Sequence, residues 1–255
     1  MAEFAAGPLR LRVQFTKEGQ ARFLSHSEYS RTLMISARRA GLPLEYGGAR
    51  DSRIKVSLSP PLPIGITSEC ELVDFSLVSY VPAAEAQDLL SKALPEGIRA
   101  VKCRLMGHDA KPVGKVIDTA VFTAAFPPLP GSEGALTDAV ERFRGMDSLP
   151  YERVQPRRTR IVDIRKGVHA LELSEDAGGS SSLEMTVDDG IAGTIKPWEV
   201  IEVVSGLAEI PRELWEKAAV QRTGLFARRA GRLVSPMDIG ARKSAAGKGA
   251  RGGTY

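Results

Sequence analysis

Ser25, His26, Glu28 and Arg31 crowd into one short segment, and together they offer an imidazole, a carboxylate and a guanidinium. An imidazole beside an arginine could move a proton next to a bound phosphate, which makes His26 the candidate catalytic residue. Local structure offers a second explanation. Ser25 and Glu28 have the spacing of a capping box, in which hydroxyl and carboxylate satisfy the backbone donors of a helix start. Further cations follow: Arg31, Arg38 and Arg39 on the same helix, then Arg157, Arg158 and Arg160 in a basic segment with Arg153, Arg165 and Lys166. Guanidiniums in these numbers suit phosphate oxygens, so both sets are candidate contacts for RNA or a partner protein. A solvated helix face is the simpler explanation of the first set. Aromatic residues make up only 6% of the chain, too few for the stacking platforms of a base-reading module, so backbone contact is the form expected.

Cys70 and Cys103 are the only cysteines. They exclude an iron–sulfur cluster held by three cysteines of the chain, and also a four-cysteine zinc site. No phosphate-binding Gly-X-X-X-X-Gly-Lys-Ser/Thr loop is present, because Val116 follows Lys115 and the glycine spacing is wrong. No metal and no cofactor is expected. No apolar run approaches the roughly 20 residues of a membrane span, and Met1–Arg12 lacks the apolar core of a secretory signal. The expected location is therefore cytoplasmic, without a membrane partner. The net charge of +4 is uneven: residues 207–255 carry ten basic against four acidic side chains, a balance that attracts polyanions without sequence preference.

Two α+β units must position these groups. Leu9, Leu11, Val13 and Phe15 alternate with polar residues as a half-buried strand. Tyr29, Leu33, Ala37 and Ala40 then recur at helical spacing until Gly41 and Pro43 stop the helix. Ile54–Leu58 and Ser68–Val81 read as strands around a proline-rich turn, Ala86–Ala93 as a helix, and Ile98–Leu105 as a strand. The order is β-α-β-β-α-β. With right-handed crossovers it predicts a ferredoxin-like fold, a four-stranded antiparallel sheet with two helices on one face. Leu33, Ala37, Leu89 and Ala93 are its expected helix core. After a turn-rich break at 107–114 the order repeats with an extra strand. Val116–Phe126, Val154, Ile161–Ile164, Val168–Leu173, Leu183–Val187 and Thr223–Ala227 are strand candidates, and Ala135–Phe143 and Pro197–Val204 are helices. The expectation is two ferredoxin-like halves with antiparallel sheets, over 8–106 and 115–235, and a disordered basic tail over 236–255.

Three sets of residues carry a resemblance. The first is Phe23-Leu-Ser-His-Ser-Glu-Tyr-Ser-Arg31 with Ala37-Arg-Arg-Ala-Gly-Leu-Pro43. The second is Ser57-Leu-Ser-Pro-Pro-Leu-Pro-Ile-Gly65 with Ser68-Glu-Cys-Glu-Leu-Val-Asp74. The third is Asp163-Ile-Arg165, Lys196-Pro-Trp-Glu-Val200 and Arg222-Thr-Gly-Leu-Phe226. In this order they resemble the radical-SAM-linked family, domain of unknown function 2344, which occurs beside or fused behind cobalamin-type radical-SAM proteins. The resemblance marks Ser25, His26, Glu28, Arg31, Pro61, Gly65, Glu69, Glu71, Asp163 and Arg165 as family-motif residues. It implies a radical-SAM protein as partner, in a pathway related to RNA or the ribosome, and gives no established reaction. The chain departs from the family at Gly48-Ala-Arg-Asp-Ser-Arg53, where a Gly-Phe-Asn-Pro-His-Pro-like loop is usual, so no role of that loop's histidine carries over. Arg165-Lys-Gly-Val-His-Ala-Leu171 resembles the catalytic segment of tRNA pseudouridine synthases, but an arginine stands where the aspartate belongs, which argues against that activity.

Three functions are compatible with these residues. The first is an accessory RNA-binding module acting with a separate cobalamin-type radical-SAM protein in RNA or ribosome-related modification. The second is a protein-binding adaptor without RNA contact. The third, resting on His26, is a metal-independent RNA-processing or RNA-modifying enzyme.

Overall fold

The computed structural model describes residues 9–48, 53–107, 109–128, 134–155, 158–175 and 180–241. Strand β1 (Leu9–Lys17) runs into a 3-10 turn and then helix α1 (His26–Arg39). Three short strands follow, β2 (Tyr46–Gly47), β3 (Arg53–Ile54) and β4 (Val56–Leu58), then the long β5 (Thr67–Leu77), α2 (Ala83–Ala93) and β6 (Ala100–Met106). The second half comprises β7 (Thr119–Phe126), α3 (Ala135–Arg144), β8 (Pro150–Gln155), β9 (Arg158–Asp163), the single turn α4 (Ile164–Gly167), β10 (Val168–Glu175) and β11 (Ser181–Asp188). It ends with α5 (Pro197–Leu207), α6 (Arg212–Trp215), β12 (Ala219–Arg229) and β13 (Arg232–Val234).

The two sheets expected from the sequence are one. Nine strands join in the order β10-β11-β7-β12-β5-β1-β6, with β13 beside β12 and β4 beside β5. Every pairing is antiparallel except at the middle, where β12 meets β5 in parallel through Gln221↔Thr67 and Arg222↔Ser68. An open edge of one half would expose unpaired backbone groups, and pairing with the other half satisfies them. The β8–β9 hairpin stays outside as a two-stranded sheet of its own.

Two apolar clusters hold the layers together. In the first half Leu11, Val13 and Phe15 of β1 pack with Tyr29, Leu33 and Ala37 of α1 and with Ala86 and Leu90 of α2. The helical stripe of α2 is thus centred on Ala86 and Leu90, while Leu89 and Ala93 are only half-buried. In the second half Phe122, Ala124 and Phe126 of β7 meet Leu136, Val140 and Phe143 of α3 and Val200, Ile201 and Val204 of α5.

Arg12 alternates with the core residues of β1 and so leaves the strand on the other face. It is fully buried there. Its Nε and Nη2 donate to Asp74 at 2.6 and 2.9 Å, Nη2 also reaches the Lys111 carbonyl at 3.0 Å, and Nη1 reaches the Pro236 carbonyl at 2.5 Å. Residues 236–241, assigned to a tail by their composition, therefore lie folded against the first half. Met237 is buried, the Gly107 amide donates to the Gly240 carbonyl at 2.6 Å, and Asp238 pairs with Arg104. Among the described residues no helix is long and apolar enough to cross a membrane.

Candidate functional site

Helix α1 carries two stripes. Its start is built as the sequence predicts: the Glu28 amide donates to Ser25 Oγ at 3.3 Å and the Ser25 amide donates back to Glu28 Oε2 at 2.8 Å. These bonds, the Ser25 hydroxyl first, hold the exposed Glu28 carboxyl below its ordinary range. The first stripe, Tyr29, Leu33, Ser36 and Ala37, faces the core. The second, Arg31, Met34, Ile35 and Arg38, is spaced i, i+3, i+4, i+7 and borders solvent, with Met34 half-buried and the other three exposed. With Arg53 and Ile54 it lines a groove of about 490 Å³. Arg31 and Arg38 stand seven residues apart, or about 10 Å along the helix axis. The Arg38 guanidinium lies 5.8 Å from the centre of the Tyr46 ring. Neither Arg31 nor Arg53 has a carboxylate partner among the described residues. Arg53 enters from the loop in which the chain departs from its resemblance. Arg39 is exposed at the end of α1 and does not line the groove.

A second concentration of charge is buried where β5 meets β12. Arg222 is 0% exposed. Its Nε donates to Glu71 at 3.0 Å, Nη1 to Asp189 at 3.3 Å and Nη2 to the Pro60 carbonyl at 3.1 Å. Lys17, also buried, donates to the Leu24 carbonyl at 2.8 Å and lies 5.4 Å from the centre of the Tyr29 ring. Two cations thus face two carboxylates. Burial raises the Asp189 carboxyl, with Arg222 opposing, and lowers the Lys17 ammonium, with Glu71 opposing. The Cys70 thiol, against the Arg222 carbonyl, is pushed by burial up to about 12. His26 sits at the rim of this cluster. Burial lowers its pKa, with Glu71 opposing, but no hydrogen bond joins it to a nucleophile or an orienting carboxylate among the described residues.

The seam explains several motif residues. The Gly65 amide donates to the Arg22 carbonyl at 2.9 Å from a φ of +89°, a conformation open to glycine. Glu69 accepts from Gln221 at 3.1 Å, Glu71 holds Arg222, and Pro61 lines a cavity of about 390 Å³ with Phe122, Asp189 and Lys196. The third set of residues is equally committed to local structure. Asp163 caps α4, accepting from the Leu149 amide at 3.0 Å, from Ser148 at 2.7 Å and from the Lys166 amide at 3.3 Å, and its carboxyl is held far below the usual range. Arg165 donates to the carbonyls of Val168 and Arg144 at 3.2 and 3.3 Å.

The basic residues expected to form one face are anchored to different cores. Arg157 lies outside the described residues, and Arg158 is placed by its backbone alone. Arg160 is exposed on β9, opposite Arg153, which is drawn onto α5 by Glu199 at 2.6 Å. Lys17 and Asp189 escaped the reading of the sequence, and Arg222 entered it only as part of the third set, without a role. One signal was there: Lys17 falls two residues beyond Phe15, in phase with the buried side of β1, where a charge must find a partner. Among the described residues no group of three or more His, Cys, Asp or Glu is arranged to hold a metal ion.

Residues 10–197 match the family described as "Uncharacterized protein conserved in bacteria (DUF2344)". The chain belongs to this family. The match covers α1, the proline-rich turn, Glu71 and Asp189, and stops short of Arg222. No curated protein matches the chain. Among solved structures it is similar to a chain of a Cbf5-Nop10-Gar1 complex, with a TM-score of 0.42, 11% identity, and coverage of 84% of this chain and 48% of that one. It thus spans about half of that structure's chain. Similarity to a DypB variant of Rhodococcus jostii RHA1 in complex with heme gives a TM-score of 0.19 at 10% identity, over 88% and 93% of the two chains.

Proposed function

We propose that this DUF2344 protein is an accessory RNA-binding module of two ferredoxin-like halves, working beside a separate cobalamin-type radical-SAM protein in RNA or ribosome-related modification. The strand orders β6-β1-β5-β4 and β12-β7-β11-β10 follow one scheme, which supports the paired halves. One observation carries the RNA reading: the guanidiniums of Arg31, Arg38 and Arg53 line one groove, and among the described residues no carboxylate pairs with them. Uncompensated arginines grouped around a concavity attract an anion, and phosphate geometry matches their planar donors. Arg157, Arg158 and Arg160 are proposed as a second, separate backbone contact. The link to a radical-SAM partner rests on the sequence resemblance.

The test is salt-dependent binding of labelled single-stranded RNA by fluorescence anisotropy. Each neutralised phosphate contributes a slope of about 0.7 in log K against log salt, so Arg31→Ala/Arg38→Ala/Arg53→Ala should weaken binding and flatten the slope by about 2. The three side chains are exposed, and each replacement should change stability by no more than about 0.5 kcal/mol. Wild-type affinity and slope in the triple variant would remove RNA from the groove. The adaptor reading has its own observation, because Val154 and Ile161 share one face of the β8–β9 hairpin and are 75% and 77% exposed. Exposed aliphatic residues on a projecting ribbon suit a protein contact.

A further inference from the structure

We infer that the α1–β3 groove takes a single unpaired nucleotide of the RNA strand, with the base laid on Met34, Ile35 and Ile54 and the flanking phosphates on Arg31, Arg38 and Arg53. The inference rests on the RNA reading of the same groove and specifies what enters it. A surface that only neutralises phosphates has no need of an apolar floor, yet Met34 and Ile35 stand between Arg31 and Arg38 on the same helical stripe. Ile35 remains 40% exposed there, an aliphatic side chain offered to solvent between cations. The space of about 490 Å³ is of the order that holds a small organic group.

Duplex RNA cannot supply that group. Its bases are stacked and paired inside the helix, so an A-form duplex presents phosphates and a shallow minor groove, whereas an unpaired base can be splayed onto a protein surface. The lining also limits what is read. Met34, Ile35 and Ile54 have no strong hydrogen-bond donor or acceptor, and the three arginines are committed to phosphate, so no side chain is left to recognise a base edge. The groove accepts any base, and purines better than pyrimidines because their faces cover more of the floor. The Arg38 guanidinium lies 5.8 Å from the centre of the Tyr46 ring, whose face helps hold the cation at the groove for a phosphate.

The experiment compares three probes on the full chain by fluorescence anisotropy: a single-stranded RNA of about 12 nucleotides, a blunt duplex of the same length, and a single strand of abasic ribose phosphates. The single strand should bind about tenfold more tightly than the duplex, and the abasic strand should lose most of that advantage while keeping the same salt slope. Ile35→Ser should weaken the single strand about fivefold, leave the duplex and the abasic strand unaffected, and leave the slope unchanged. Circular dichroism melting checks that the variant is folded, and the abasic probe tests the wild-type protein without any substitution. Equal binding of single strand, duplex and abasic strand, lost together in Arg31→Ala/Arg38→Ala/Arg53→Ala, would overturn the unpaired nucleotide and leave the RNA reading standing. Absence of binding to all three probes would overturn both.

Discussion

Arg222 shows how a single side chain joins distant parts of the chain. Its guanidinium holds Glu71, 151 positions away, and Asp189, 33 positions away, in a space closed to water. Replacing it by a residue of similar length without charge would leave two buried carboxylates facing each other and one ammonium. Arg222→Met should therefore cost about 3–5 kcal/mol at pH 7, measured by urea unfolding. The pH dependence identifies the cause. Asp189 already has its pKa raised by burial against the pull of Arg222, and without the guanidinium it rises further. A carboxyl whose folded pKa exceeds its unfolded value binds the proton more readily when folded. The variant's deficit should then narrow as pH falls through that folded pKa, and a deficit that stays constant over the whole acid range in which the protein remains folded would exclude Asp189 as its source. None of this was legible in the sequence. Alternation marks Lys17 as a charge in the buried phase of β1, but it cannot say which carboxylate, on which distant loop, answers it.

At the level of elements the sequence was far more informative, because each signal is local. The capping spacing of Ser25 and Glu28, the core stripe of α1 and the stop at Gly41 all describe one helix, and all are found. Ser25→Ala should cost about 1 kcal/mol by removing the side-chain acceptor of the Glu28 amide. A thermal melt followed by circular dichroism would read this as a lower midpoint, and an unchanged midpoint would mean that the cap contributes nothing. The outward stripe of α1 is legible in the sequence only through its arginines, since Ile35 lies outside the core stripe that periodicity detects and Met34 only flanks it. Arg53 could not be joined to it, because β3 is two residues long and its place beside α1 depends on the fold. The hairpin erred the other way. Val154 and Ile161 look like buried strand residues by type, yet the face that packs against the second core carries Tyr151 and Val162.

Across the whole molecule one nine-stranded sheet joins the two halves, and it is crossed by two buried ionic contacts, one at the seam and one beneath β1. The second ties Arg12 to Pro236, 224 positions further along. Ending the chain after Ser235 removes an acceptor from a buried guanidinium and uncovers the surface that Met237 occupies, and it should lower stability by at least about 2 kcal/mol in urea titrations. Full-length stability in the shortened chain would show that the strap is dispensable. The same contact sets an order of events during synthesis. A ribosome releases β1 first and must add more than two hundred residues before the carbonyl that completes the Arg12 site emerges, an interval on the order of tens of seconds. Once Lys111 has emerged, Arg12 has every partner but the last, and the underside of the first half is finished only when the end of the second half arrives.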